Sequence, residues 1–180
     1  MKWERCKNLL CKSALLILCA SILFECGCAA RANKMVPAKL EVTNKHPYTV
    51  RVEGHVAGYN RKASLISDSA FTDALTESIL KSGVFKGTVR GEGADCLLNV
   101  VILQCDQPSI GLDLNINVET SWHLSKQGQA EPVWSGTIAT SYKAALGKAF
   151  FANERLQKAT EGVVRTNIQQ GIEKLSTLQF

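Results

Sequence analysis

Histidine is scarce in this chain: His46, His55 and His123 are the only three in 180 residues. Nucleophilic catalysis needs a base beside the nucleophile and a further group to orient that base. His55 and His123 fall on the polar positions of alternating segments, where a solvated side chain is expected. His46 stands in a Lys-His-Pro sequence that reads as a turn. No G-x-S-x-G occurs, and no H-x3-H or C-x2-C outside the leader offers converging metal ligands. The chain is therefore read as a non-enzyme, with no catalytic residue, cofactor or metal expected.

Cysteine is nearly absent from the body of the chain. Of seven cysteines, Cys6, Cys11, Cys19, Cys26 and Cys28 lie in the first 28 residues, which leaves Cys96 and Cys105. A disulfide framework spreads its cysteines through the domain. These two sit near opposite ends of one expected strand, roughly 30 Å apart when extended. A disulfide needs Cα atoms within about 7 Å, so both are expected as free, mostly buried thiols. A basic stripe is missing too. Net charge is +5, of which the leader carries +2, and the remaining basic residues are scattered. That is no nucleic-acid footprint. Gly87, Gly91 and Gly93 lack the Gly-Lys-Ser/Thr ending of a phosphate loop and read as a plain loop or a short irregular strand.

What is present begins at the N-terminus. Lys2, Arg5, Lys7 and Lys12 precede an uncharged apolar run over residues 13–24. That run is shorter than the about 20 residues needed to span a bilayer. It has the length of a signal-peptide core behind a positive start. The run is followed by Glu25-Cys26-Gly27-Cys28-Ala29-Ala30. A lipoprotein leader ends in small residues before a cysteine whose thiol carries the diacylglycerol. Gly27-Cys28 meets that need, although Glu25 stands where leucine is usual. Cys26 has Leu23 three residues before it, but Phe24 and Glu25 intervene. Cys28 is therefore the expected lipidation site. Residues 1–27 are expected as signal peptide, 28–38 as a tether and 39–180 as one domain. No Asp follows Cys28 to retain the protein at an inner membrane. The expected address is the bacterial cell envelope, lipid-anchored at the outer membrane and facing the periplasm, with the membrane as one partner.

Hydropathy patterning supplies the fold. Tyr48, Val50, Val52, Gly54 and Val56 alternate with polar residues, as in a half-buried strand. Ser67 or Asp68 opens a helix with the stripe Phe71, Leu75, Ile79 and Leu80, stopped at Ser82-Gly83. Residues 95–104 are apolar on both faces and read as a central strand. Residues 112–124 and 134–142 alternate and form a hairpin about the turn 126–129. Trp122 and Trp134 are expected to face the helices. A last helix spans roughly Ala149 to Leu178, weakened by Gly162 and Gly171, with Arg155 on its solvated face. The expected fold class is α+β: a two-layer sandwich with a mainly antiparallel sheet, in the order strand-helix-strand-strand-strand-helix, with helices on one face.

Several stretches of this body are similar to known proteins. They are Phe71-x-x-Ala74-Leu75-x-x-Ser78-Ile79-x-x-Ser82-Gly83-Val84-Phe85, Ala94-Asp95-x-Leu97-Leu98, Thr120-Ser121-Trp122-His123-Leu124, and Ala149-Phe150 through Arg155-Leu156. Together they resemble small bacterial envelope lipoproteins of the YajG-like group and, more loosely, the auxiliary lipoproteins of ABC-type lipid transporters. The resemblance spans most of residues 65–175. It implies a periplasm-facing accessory protein with an envelope protein or lipid as partner. It supplies no catalytic residues.

Overall fold

A computed structural model describes residues 29–57, 65–106, 114–144 and 152–180. Eight elements follow in chain order: α1 (Ala32–Met35), β1 (His46–Val56), α2 (Asp68–Ser82), β2 (Phe85–Thr88), β3 (Cys96–Asp106), β4 (Leu114–Lys126), β5 (Trp134–Ala144) and α3 (Ala152–Ser176). The strands make one sheet in the order β2-β1-β3-β4-β5. β3 lies at its centre, as its apolar run predicts. β3, β4 and β5 are antiparallel neighbours, whereas β1 runs parallel to both β2 and β3. The fold is α+β, with a mixed sheet and helices over one face. Alternation reports which face a side chain takes and is silent on strand direction. The helix between β1 and β3 is what allows their parallel pairing.

The buried face draws on alternate residues of each strand: Val50, Val52 and Val56 from β1, Leu98, Val100 and Ile102 from β3, Ile116, Val118, Trp122 and Leu124 from β4. Against it lie Phe71, Leu75 and Ile79 of α2 and Val163, Val164, Ile168, Ile172 and Leu175 of α3. Leu80 departs from the expected stripe: it is 56% exposed on the outer side of α2. Ser67 caps α2 by accepting from the Ala70 N–H at 3.2 Å, and Gly83 ends it at a φ of 63°. Cys96 and Cys105 are buried and neither is in a disulfide, and burial pushes the Cys96 thiol up from its ordinary pKa.

The glycines of α3 have a positive role. A Cβ on Gly171 would stand 2.2 Å from the Trp122 ring, and one on Gly162 would stand 3.1 Å from Tyr142. Two aromatic rings of the sheet thus lie against bare helix backbone. Beside them Asn167 is fully buried and fully engaged. It accepts from Thr120 Oγ1 at 2.7 Å and donates to Ile138 O at 3.0 Å. Thr120 Oγ1 in turn accepts from Trp122 Nε1 at 2.7 Å. A satisfied polar chain of this kind fixes how α3 sits on β4 and β5.

Candidate functional site

Residues 30–36 lie within the region expected as a tether, and they are folded. Ala30, Met35 and Val36 are buried in the common core. The Ala30 N–H donates to Leu65 O at 2.7 Å, just before α2, and Gln157 Nε2 of α3 donates to Ala29 O at 2.7 Å. The carboxylate of Glu161, only 3% exposed as a residue, accepts from the Arg31 backbone N–H at 3.0 Å and from Arg31 Nε at 3.2 Å. Arg165 Nη1 donates to Lys34 O at 2.7 Å. A single helical turn, α1, thus lies against both α2 and α3, with Lys34 bonded to Arg165 midway along α3. One turn is too short to show a period, which explains why the sequence reading missed it. Glu161 gives no signal in the sequence either, since Arg31, which it grips, lies 130 residues away. Cys28, the expected lipidation site, lies outside the described residues and directly precedes this segment.

The other end of the molecule is closed differently. His46, read as part of a turn, begins β1 and is 6% exposed. Its Nε2 lies 3.0 Å from Leu175 O, and its ring packs against Phe85 and Phe180. The Asn44 N–H donates to Ser176 O at 3.0 Å. Two carbonyls that α3 leaves open at its C-terminus are met in this way. Tyr48 stacks on Phe180, and Lys126 Nζ lies 3.8 Å from the Tyr48 ring centroid. Nearby, Asp95 Oδ2 accepts from the Thr49 N–H and from Thr49 Oγ1, both at 2.7 Å. The backbone donor first, then the hydroxyl, hold the Asp95 carboxyl below its ordinary pKa. An open groove of about 440 Å³ lies at this end, between residues 91–94 and the turn 126–129, with Arg51, Leu97 and Lys126 in its walls.

Among the described residues, the sheet face away from the helices brings a serine and a histidine together. Ser135 Oγ lies 2.7 Å from His123 Nδ1. In register order Glu53, Asn99, His123 and Ser135 form a row across four strands. A working dyad needs a group that orients the histidine. Among the described residues nothing is hydrogen-bonded to His123 Nε2, and both His123 and Ser135 are exposed. The pair is a solvated cross-strand contact, which hairpin register could have revealed in the sequence. His55 is also exposed, 4.0 Å from Asp68. Arg155 differs from expectation: its Nε is buried without a hydrogen-bond partner among the described residues. Trp122 and Trp134 both face the helices as expected, Trp122 fully buried and Trp134 half-buried. Gly91 and Gly93 lie in a turn with φ of 85° and 91°. Among the described residues no three His, Cys, Asp or Glu side chains gather as a metal site, and no helix is long and apolar enough to cross a membrane.

No protein-family model matches the chain, and no curated protein matches it in sequence. Solved structures do share its fold. A Xanthomonas campestris protein assigned to the DUF330 family superposes with a TM-score of 0.61 at 11% identity, covering 79% of this chain and 90% of that one. A hypothetical protein of Chlamydia trachomatis gives a TM-score of 0.50 at 9% identity, covering 71% and 93%. At these identities the likeness is one of fold.

Proposed function

We propose that this chain is a lipid-anchored protein of the bacterial cell envelope, acylated at Cys28 and facing the periplasm from the outer membrane. In this reading its domain binds another envelope component, protein or lipid, and performs no catalysis. The observation that carries it is positional. The core takes in Ala30 and Met35, so the folded domain reaches back to within two residues of the Gly27-Cys28 junction. A cut there would leave a chain whose described residues join the core from Ala30 on. The cationic start, the short apolar run and the small residues before Cys28 support the same reading. Acylation at one cysteine with several chains supplies stable attachment where a single chain would hold weakly.

Labelling cells with radioactive palmitate tests this for wild type, Cys26→Ser and Cys28→Ser. Label is expected in wild type and Cys26→Ser and absent from Cys28→Ser. Label that persists in Cys28→Ser would contradict the assignment. Crosslinking in intact envelopes followed by mass spectrometry would name the partner. A role as an auxiliary subunit of an ABC-type lipid transporter requires a hydrophobic groove, and the groove beside Lys126 has Arg51, Glu92 and Gln127 in its walls. No observation on the described residues favours that narrower role.

A further inference from the structure

The described fold fixes where a lipid on Cys28 must leave the domain. Ala29 is held through its carbonyl by Gln157, Ala30 through its N–H by Leu65, and Arg31 through its N–H by Glu161. These are backbone contacts at three consecutive residues, and they are made to elements on two sides. Cys28 stands one peptide bond away, and one residue adds at most about 3.6 Å of reach. No slack chain separates the attachment point from the folded body.

The end of the molecule that receives this segment is identified by the elements around it. α3 begins there, since Gln157 lies in its second turn. α2 begins there too, with Asp68 Oδ1 accepting from the Val56 N–H at the end of β1. The opposite end holds Asn44, Ser176 and the turn 126–129, whose Gln127 N–H donates to Asp95 O. α3 has 25 residues, so the two ends are ~37 Å apart at 1.5 Å per residue.

Resting on the acylation of Cys28, we propose that the domain is seated on the bilayer in one orientation, with the end formed by residues 29–31 and the first turns of α2 and α3 against the lipid surface. The occupant of that end is the membrane itself. The groove beside Arg51 and Lys126 is thereby held far from the bilayer, open to a partner in the aqueous phase.

The test uses the full chain, processed by its host and reconstituted in vesicles of phosphatidylethanolamine and phosphatidylglycerol that contain a headgroup-quencher lipid. A fluorophore is attached through Asn153→Cys in the first turn of α3, or through Gln127→Cys in the far turn. Cys96 and Cys105 are buried and stay unlabelled. Quenching is expected at position 153 and not at position 127. Inserting a flexible Gly/Ser spacer between Cys28 and Ala29 is expected to abolish the difference. Equal quenching at both positions in the acylated chain, or a spacer with no effect, would overturn the seat and leave the anchor standing. A mass spectrum showing Cys28 without lipid would overturn both.

Discussion

The two ends of α3 are closed by segments remote in sequence, and they are closed by different physics. Along its first half, residues 29–36 bind through backbone donors and carbonyls, a buried carboxylate and one methionine in the core. At its end, β1, β2 and the C-terminus close it with packed rings, His46, Phe85, Tyr48 and Phe180, and with donors to the last carbonyls. Aromatic packing resists loosening because it removes a large apolar area from water. A hydrogen-bonded strap of a few residues gains less per residue, yet it sets position sharply. Both closures therefore contribute stability, the first through the buried Met35, and the first also sets position through its hydrogen bonds.

The largest break in this comparison comes from Met35→Ala. Met35 is fully buried, and truncating such a side chain costs about 3 kcal/mol. Urea denaturation should show that loss. A tether residue would show none. His46→Ala at the other end removes a ring contact and the link to Leu175 O, for about 2 kcal/mol by the same measurement. Glu161→Ala should cost roughly 1.5 kcal/mol. Its sharper signature is local: limited proteolysis should cut between residues 29 and 36 much faster, while the rest of the domain stays resistant. Equal protection in wild type and variant would mean the carboxylate is dispensable to the strap.

The smallest effect belongs to Asp95, which is exposed. Its carboxyl is held below the ordinary value by Thr49. Its contribution is then present above the usual aspartate range and is lost as pH falls through the lowered folded value. Asp95→Asn should therefore be slightly less stable near neutrality and decline less steeply in acid. Parallel unfolding curves for wild type and variant from pH 6 to pH 2 would contradict this.

Much of the fold was legible because strands announce their faces. The alternation through Ile116, Val118 and Trp122 and the run Leu97 to Leu103 placed β4 and the central strand correctly. The Ser67 and Gly83 stops placed α2. The rest depended on contacts that sequence spacing does not carry. Leu80 falls on the apolar spacing of α2 but lies beyond the sheet and α3, so it stays in water. Gly171 reads as a helix defect until Trp122 is seen against it. His46 looks like turn punctuation beside Pro47, and only the arrival of Phe180 buries it. The docking of residues 29–36 was hidden most completely: the segment is too short for a period, and its partners Leu65, Gln157, Glu161 and Arg165 are far along the chain. Of the candidate site, the sequence offered Cys28 as an attachment point and gave no sign that the body grips the residues beside it.

Amide hydrogen exchange in the mature chain tests that grip most directly. The Ala30 and Arg31 N–H groups, bonded to Leu65 O and Glu161, should exchange far more slowly than free peptide, in step with one another, and faster in Glu161→Ala. Exchange at the rate of an unstructured chain at both amides would contradict the account, and residues 29–36 would then be a free tether.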